Sequence, residues 1–487
     1  MKKAVVIGSG IAGLAASIRL ANKGFNTRVF EANRYPGGKL TAFQQDDYRF
    51  DAGPSLFTLP KLVDELFELC NENPRDYFNY QAINTACVYF WDDGTVFNAP
   101  SQPDDFARRA AETFNEPKKN MDNYLSRAER LYRVSSPIFL ESSLHKPQNY
   151  LRKEVLFALS HIRELALTQT MNQVNESFFS EPKLIQLFNR YATYNGSNPY
   201  KAPGVLTMIP HLEHGKGTWL PKGGMHEITL QLKALAERQG VKFQFNAPVK
   251  RILTQERKAV GIELQSGAEI LADKVFCNMD IVPAYRKLLR GHKAPEKTLN
   301  QERSGSALIF YWGIKKQFKQ LDLHNIFFAN DYKAEFDSIF DQKQIHHDPT
   351  VYVNITSKYE KRDAPPGCEN WFVMVNAPGD YGGYLPAMID EARKNIIKKL
   401  NSVLQIDIEP LIENESILDP TGIEKKTSSY RGALYGAASN TATAAFLRHP
   451  NFSSKIKNLH FCGGSVHPGG GIPLCLHSAK IAVDTLK

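Results

Sequence analysis

The sequence predicts an α/β fold whose central parallel sheet begins at the N-terminus. Residues 4–7 form an unbroken apolar run, which is typical of a fully buried parallel strand. A G-x-G-x-x-G segment follows at 8–13, and residues 14–24 carry a helical apolar pattern that ends at a glycine. A second strand at 27–30 leads into Glu31. Strand, glycine turn, helix and strand in this order predict one βαβ unit.

Each part of this unit suits a dinucleotide. Gly8 permits the tight turn, Gly10 lets the backbone approach a pyrophosphate, and Gly13 lets the helix and the strand pack closely. The N-terminus of the helix offers free N–H groups and the positive end of its dipole to the phosphates. Glu31 can accept hydrogen bonds from both ribose hydroxyls, and an acidic residue there argues against NADP. The unit therefore predicts a site for NAD or FAD.

Two further segments favour FAD. Gly37-Gly38-Lys39-Leu40 and the F-D-A-G-P-S segment at 50–55 resemble the extended fingerprint of flavoproteins of the amine-oxidase and carotenoid-desaturase superfamily. In that superfamily the double glycine and the stretch after it contact the ribityl chain and the pyrophosphate of FAD. The resemblance implies a Rossmann-type FAD-binding domain like those of amine oxidases and glutathione reductase.

The C-terminal segment supplies the other half of the predicted cofactor site. Residues 458–462 predict a buried strand, 463–473 a glycine-rich loop, and 474–486 a helix whose first turn suits Pro473. The helix dipole would face the pyrimidine edge of the flavin, where negative charge collects on reduction. The loop resembles the HPGxGIPG signature of carotenoid desaturases, with Leu474 where that family usually has a fourth glycine.

The resemblance extends to single residues, and it places the backbone of Val249 against the adenine. The predicted FAD-binding residues are Gly8, Gly10, Ile11, Ala12, Gly13, Glu31, Ala32, Gly37, Gly38, Lys39, Leu40, Gly53, Pro54, Ser55, Leu56, Val249, Asn278, Gly464, Gly471, Ile472 and Pro473. His467 is the candidate catalytic residue, because its motif brackets the flavin ring. The alternative is that its imidazole only hydrogen-bonds the loop.

The chain of 487 residues is too long for a single core. We predict a discontinuous FAD-binding domain from residues 1–85, 211–295 and 425–487. A substrate and membrane-facing domain of mixed β-sheet plus helices is predicted from residues 86–210, of which 101–210 are mostly helical in pattern, and from residues 296–424. Such interleaving would place a sheet-lined cavity above the flavin.

The composition of the chain limits which binding partners and which cellular compartment we expect. The chain has 60 Lys+Arg against 51 Asp+Glu, without a dense basic block, so we expect no nucleic-acid partner. The six cysteines show no CxxC and no metal-ligand spacing, which predicts free thiols, no metal and a cytoplasmic protein. The N-terminal Met1-Lys2-Lys3 and the apolar stretch after it imitate a signal peptide, but the glycine turn interrupts it. The sequence contains no run of eighteen apolar residues, so we predict no transmembrane span.

The resemblance covers the whole chain and implies a flavin-dependent desaturase acting on a hydrophobic carotenoid. Such enzymes insert a C=C bond by moving hydride to flavin N5 and losing a proton from the adjacent carbon. Because a polyene delocalises the developing cation, an oriented and dry tunnel matters more than a strong base. An electron acceptor such as O₂ or a quinone completes the expected reaction.

One internal segment narrows the predicted substrate. The R-Y-A-T-Y-N-G-S-N-P-Y-K-A-P segment at 190–203 resembles a stretch of hydroxycarotenoid 3,4-desaturases rather than of phytoene desaturases. Its hydroxyls and amides suit a substrate with a 1-hydroxyl end group. The alternative is that they cap helix ends and turns.

Other functions stay open at this point. They are a phytoene or lycopene-type desaturase, a non-oxidative flavin-dependent carotenoid isomerase and a lipid-binding protein with a structural flavin. An amine oxidase is less favoured, because such enzymes usually need an aromatic cage where this chain has its glycine-proline loop.

Two further segments, residues 211–214 and 151–165, suggest roles in catalysis or in membrane association. His211, Glu213 and His214 form a polar cluster that suits either an acid or base on the substrate side or a structural role, without further ligands for a metal. A carotenoid partitions into lipid, so we expect peripheral association with the membrane. Residues 151–165 mix apolar and basic side chains at helical spacing, which suits either the membrane interface or the protein's own core.

Overall fold

The computed structural model describes residues 1–146, 149–150, 153–161 and 164–486. Its strands are β1 (Lys3–Ile7), β2 (Asn26–Phe30), β3 (Ala42–Gln45), β4 (Tyr48–Asp51), β5 (Tyr80–Ala82), β6 (Thr85–Phe90), β7 (Val96–Pro100), β8 (Trp219–Pro221), β9 (Lys242–Gln244), β10 (Val249–Gln255), β11 (Lys258–Leu264), β12 (Glu269–Leu271), β13 (Lys274–Cys277), β14 (Ser306–Ile314), β15 (His324–Phe327), β16 (Val351–Asn354), β17 (Glu369–Ala377), β18 (Ile412–Leu418) and β19 (Leu459–Phe461).

The helices occur between these strands and cluster in the segment after β7. They are α1 (Ile11–Asn22), α2 (Lys61–Leu69), α3 (Pro103–Phe114), α4 (Lys118–Phe139), α5 (Lys153–Ser160), α6 (Met171–Phe178), α7 (Pro182–Asn189), α8 (Glu227–Arg238), α9 (Ile281–Pro283), α10 (Glu296–Leu299), α11 (Tyr332–Asp337), α12 (Pro386–Leu404), α13 (Pro420–Thr427), α14 (Ala442–Phe446) and α15 (Ile472–Asp484).

A five-stranded parallel sheet in the order β19-β13-β1-β2-β9 forms the first layer of the fold. Strand β1 is central in this sheet and buried on both faces, which explains its continuous apolar run. Helices α1, α8 and α15 pack together on one face around Leu14, Leu232 and Ala479. The antiparallel sheet β10-β11-β12 covers the other face, where Ile252 and Ile262 join the core.

The second sheet has the order β18-β14-β17-β16-β15-β6-β7 and is antiparallel except where β6 pairs with β15. Side chains alternate between its faces. Leu308 and Phe310 pack with Ile396 of α12 on one face. Ile309 and Tyr311 line a cavity on the other. The sheet is therefore a wall with one sealed face and one face open to a ligand.

The predicted βαβ unit is confirmed as β1, α1 and β2, with Gly24 at φ +82° just after the helix. All five strands of the parallel sheet come from the segments predicted to bind FAD, and we retain the predicted domain boundaries as a proposal. The sequence did not predict that the β6–β7 hairpin joins the second sheet, because this pairing with β15 is non-local.

The segment 151–165, whose pattern suits either the membrane interface or the protein's own core, is only partly described. Helix α5 occupies its centre, whereas positions 151, 152, 162 and 163 lie outside the described residues. Among the helices that the structure describes, none is both long enough and apolar enough to cross a bilayer.

A stability prediction follows from the contact between β6 and β15. The rings of Phe90 and Phe327 stack there at a centroid distance of 4.6 Å, and both are buried. Replacing Phe327 by Ala removes a buried ring, so we expect the free energy of unfolding to fall by about 3–5 kcal/mol. Urea unfolding followed by circular dichroism measures this fall. The exposed Leu230, replaced by Ala, is the control, and equal effects in the two variants would contradict the prediction.

Candidate functional site

A single cavity of about 2140 Å³ runs between the parallel sheet and the open face of the second sheet. Sites for one small ligand usually measure about 300–1,000 Å³. The observed volume is therefore sufficient for a dinucleotide and a second, extended ligand.

Close packing of the first turn of α1 forms the dinucleotide end of this cavity. A Cβ atom at Gly13 would overlap the carbonyl oxygen of Gly8, and one at Gly10 would lie 2.9 Å from the side-chain amide of Asn278. Gly10 is the N-cap of α1 and supplies no side-chain bond, so the N–H groups of Ile11 and Ala12 at the start of the helix are available to phosphate.

Asn278 follows β13 and connects the turn to the neighbouring strand. The surrounding donors and acceptors assign its amide orientation: with the nitrogen turned toward the carbonyl of Cys462, it donates there at 3.2 Å, and the oxygen accepts from the backbone N–H groups of Gly10 and Gly13, each at 3.2 Å. The side chain therefore holds the ends of β1, β13 and β19 in one position.

Glu31 lies at the end of β2, buried and fixed by three hydrogen bonds. One carboxylate oxygen accepts from the backbone N–H and the hydroxyl of Ser9 at 2.7 and 2.9 Å. The other accepts from the backbone N–H of Asn33 at 2.9 Å. The carboxylate is thereby oriented in the wall of the cavity, as ribose binding requires.

Lys39 connects the glycine pair at 37–38 to the C-terminal part of the chain. Its ammonium group donates to the carbonyls of Ala433 and Leu434 at 3.0 and 2.7 Å. Burial lowers the pKa of Lys39 to about 8. The side chain of Lys39 lines the cavity and brings a positive charge to the dinucleotide end of the cavity.

The glycine-rich C-terminal loop lies flat against the cavity. A Cβ atom at Gly470 would come within 2.7 Å of the Tyr435 backbone. Helix α15 begins directly after Gly471, with Pro473 in its first turn, as predicted. Leu474 also lines the cavity, so the side chain that replaces the family's glycine is part of the wall.

The structure brings the predicted cofactor residues together. All of them line the cavity except Gly13. This residue lies where helix α1 contacts the turn at 8–13. His467 does not line it. Its Nε2 donates to the Ser142 carbonyl at 2.8 Å, and burial lowers its pKa to about 4. This contact favours the structural interpretation of His467, and a catalytic role stays a prediction.

A buried ion pair forms another part of the wall. Arg190 donates to the hydroxyls of Tyr89 and Tyr194 at 2.7 and 3.0 Å, and its guanidinium lies 3.5 Å from the Glu213 carboxylate. Tyr191 donates to Glu213 at 2.9 Å, and Tyr194 donates to the other carboxylate oxygen. These partners explain how charged groups persist in the interior.

The network also decides the chemistry of Glu213. Burial by itself raises the pKa of this carboxyl, but Arg190 and the hydroxyls of Tyr191 and Tyr194 bring it below its usual value. A carboxylate held in this way is a poor base, so the structural interpretation is favoured. His211 packs apart from the network against Tyr132. No group of three or more His, Cys, Asp or Glu among the described residues is arranged to hold a metal.

The polar side chains of 190–203 divide between the two predicted roles. The Thr193 hydroxyl donates to the carbonyl of Arg190 at 2.8 Å, and the Asn198 side chain accepts from the Tyr200 N–H at 2.9 Å. These two therefore close turns, as the alternative interpretation predicts. Arg190, Thr193, Tyr194 and Asn195 line the cavity, and Oδ1 of Asn195 has no hydrogen-bond partner among the described residues.

Sequence reasoning missed the wall formed by β15 and β16. The hydroxyl of Tyr352 lies 2.7 Å from Nδ1 of His324 and 2.7 Å from Oγ of Ser55, and all three residues line the cavity. The alternation of β16, in which Tyr352 stands between two valines, was the available signal.

The fold and the site define a dinucleotide-binding oxidoreductase. A family model described as flavin containing amine oxidoreductase matches residues 11–486. The chain is 57% identical to a 1-hydroxycarotenoid 3,4-desaturase of Flavobacterium sp. (strain P99-3), covering 100% of this chain and 99% of the relative. It is 30% identical to a 4,4'-diapolycopene oxygenase of Methylomonas sp., covering 100% and 98%. An oxidoreductase structure from Methanosarcina mazei aligns with a TM-score of 0.64 at 14% identity, covering 99% and 100%.

The chain therefore belongs to the flavin-containing amine oxidoreductase family and is an FAD-dependent oxidoreductase. The residues present fit this cofactor. The turn at 8–13 leaves room for a pyrophosphate, Glu31 is oriented for a ribose, and the loop at 463–473 presents a flat surface for a planar ring.

The glycine turn predicts how cofactor binding can be abolished. A valine at position 10 would crowd Asn278 and fill the space for the pyrophosphate, so Gly10→Val should purify without bound FAD. The flavin absorbance of the purified protein, relative to its absorbance at 280 nm, measures the loss. Gly382→Val is the matched control, since nothing surrounds a Cβ atom there. A fully loaded, yellow Gly10→Val protein would contradict the placement of the phosphates.

Proposed function

We propose that the protein desaturates acyclic carotenoids at the 3,4 position of an end that carries a 1-hydroxyl group. The observation that carries this proposal is the full-length similarity to the Flavobacterium 1-hydroxycarotenoid 3,4-desaturase. The cavity supports it, because one continuous space joins the predicted cofactor residues to a long apolar wall.

FAD supplies the hydride acceptor of such a reaction. The chain itself supplies orientation and exclusion of water. Ile309, Tyr311 and Phe372 of the second sheet, together with Leu206 and Met208, form apolar surface along the cavity. A polyene held against such a surface is kept straight and dry, which is what this chemistry needs from the protein.

An acceptor such as O₂ or a quinone would reoxidise the enzyme between turnovers. The isomerase alternative differs at this point. Net desaturation without an acceptor bleaches the flavin, whereas isomerisation leaves its absorbance unchanged. Anaerobic mixing of the loaded enzyme with substrate therefore separates the two functions.

The proposed substrate class can be tested by expression with phytoene, lycopene and 1-hydroxylated carotenoids in turn. We expect efficient 3,4-desaturation of the hydroxylated carotenoids and poor conversion of phytoene. A site built to bind a hydroxyl leaves polar groups unpaired with a pure hydrocarbon, which costs about 1–3 kcal/mol per group. Chromatography of the pigments measures the products. Conversion of phytoene to a red polyene, with the hydroxylated substrate untouched, would favour the phytoene-type alternative.

We further propose that the enzyme docks peripherally on the membrane beside helices α4 and α14. The rings of Phe139 and Phe446 contact each other with centroids 4.0 Å apart, and both residues line the cavity there. Leu447 is 48% exposed, and Phe157 of the nearby α5 is 45% exposed. Exposed apolar side chains beside a cavity opening support transfer of a lipid-soluble substrate.

Vesicle flotation tests this surface. Wild-type protein should float with anionic vesicles and should be released by detergent. The double variant Phe157→Ser/Leu447→Ser should float several-fold less, because it loses the apolar side chains that enter the interface. Leu385→Ser is the matched control, since Leu385 is 62% exposed in a different part of the chain. Loss of flotation in the control but not in the double variant would place docking elsewhere.

A further inference from the structure

The pair formed by His324 and Tyr352 connects the substrate wall of the cavity to its cofactor end. His324 is the first residue of β15, and Tyr352 lies in the adjacent β16. The Tyr352 hydroxyl lies between Nδ1 of His324 and Oγ of Ser55, at 2.7 Å from each. Ser55 belongs to the segment predicted to bind FAD. His324 is therefore two hydrogen bonds away from a residue at the cofactor.

The neighbours of His324 determine which ring nitrogen carries the proton. The amide nitrogen of Asn354 donates to the Leu323 carbonyl at 2.9 Å, which fixes the orientation of this amide. The same nitrogen lies 3.2 Å from Nδ1 of His324. A donor facing Nδ1 makes it an acceptor, so the Tyr352 hydroxyl also donates to it and the ring proton sits on Nε2. Burial lowers the pKa of His324 to about 4, and the imidazole is neutral at pH 7.

This Nε2–H group has no hydrogen-bond partner among the described residues, although His324 is only 3% exposed and lines the cavity. Buried donors are normally paired. The carboxylate of Glu213 differs, because Arg190 and the hydroxyls of Tyr191 and Tyr194 surround it. In the segment 190–203, Nε of Arg190 and Oδ1 of Asn195 also lie in the cavity wall without a partner among the described residues. Nε–H of Arg190 belongs to a charged guanidinium and Oδ1 of Asn195 can only accept, whereas His324 on β15 offers a neutral donor.

We propose that His324, through Nε2–H, binds the oxygen of the 1-hydroxyl group and is a specificity-determining residue of this enzyme. The inference rests on the proposed function. In a 1-hydroxylated substrate only three covalent bonds separate this oxygen from C3, so its binding partner must lie close to the reacting end of the cavity. The link through Tyr352 to Ser55 places His324 there. Binding the oxygen also fixes which carbons of a long, repetitive polyene are presented for reaction.

Two substitutions of His324 distinguish the contributions of its two ring nitrogens. His324→Asn places an amide near the position of Nδ1 and removes the donor at Nε2, whereas His324→Gln places an N–H group near Nε2. With a 1-hydroxylated carotenoid we expect His324→Asn to lower kcat/KM by about ten- to a hundred-fold, and His324→Gln to retain most of it. With the matched carotenoid lacking the hydroxyl, both variants should resemble the wild type. Titration of the carotenoids by protein fluorescence should show the same loss of affinity without turnover.

The controls distinguish the possible failures. Bound FAD measures folding of each variant, and His347→Asn tests an exposed histidine. Equal turnover of both carotenoids by the wild type would overturn the proposed substrate class and this inference with it. A wild-type preference that persists in His324→Asn would overturn the role of His324 alone.

Two further variants complete the test. If His324→Asn does not bind FAD, Tyr352→Phe decides, because it keeps the ring but removes a donor to Nδ1. We expect a several-fold smaller preference for the hydroxylated carotenoid, and an unchanged preference would contradict the proposal. The hydroxyl of Tyr332 is another unpaired, buried and neutral group in the cavity wall. Loss of the preference in Tyr332→Phe, with His324→Asn unaffected, would assign recognition to Tyr332 instead.

Discussion

The site depends on the close approach of helix α1 to the end of strand β1. The approach is possible only because Gly13 has no side chain where the Gly8 carbonyl lies. Asn278 then connects the turn to Cys462, directly after β19, so three strands that are distant in sequence share one anchor. If the helix stood further away, its free N–H groups would no longer meet the phosphates at the edge of the sheet. The remainder of the cofactor site is arranged around this fixed point.

The substrate wall is constrained by desolvation. A cavity for a polyene must be apolar, yet Arg190 and Glu213 stand in its wall with almost no solvent around them. A buried charge is tolerated when its partners are complete. Tyr89, Tyr191 and Tyr194 supply those partners. The resulting network is a rigid part of the wall, and the donors around Glu213 make its carboxylate a poor base.

The sequence predicted the fold around the parallel sheet and the FAD cofactor because this part of the molecule is encoded locally. The turn at 8–13, Glu31 and the loop at 463–473 lie next to the strands and helices that position them. The substrate wall could not be predicted in the same way. His324 acquires its role from Asn354 on a neighbouring strand and from Tyr352, and strand pairing across long loops leaves no local pattern. The polar segment at 190–203 drew attention to recognition, but folding used much of its hydrogen-bonding capacity internally.

The charge state of the His324 imidazole, the group proposed to bind the substrate hydroxyl, matters as much as its position. A carbon that gives up hydride develops positive charge, and a cation held beside it would oppose the reaction. A neutral imidazole donor avoids this conflict, and burial keeps His324 neutral. Lys39 is a cation in the same cavity, but its ammonium group donates to the Ala433 and Leu434 carbonyls. The wall can thus bind an oxygen tightly without placing an unpaired charge beside the polyene, which reconciles recognition of a polar end with an apolar reaction space.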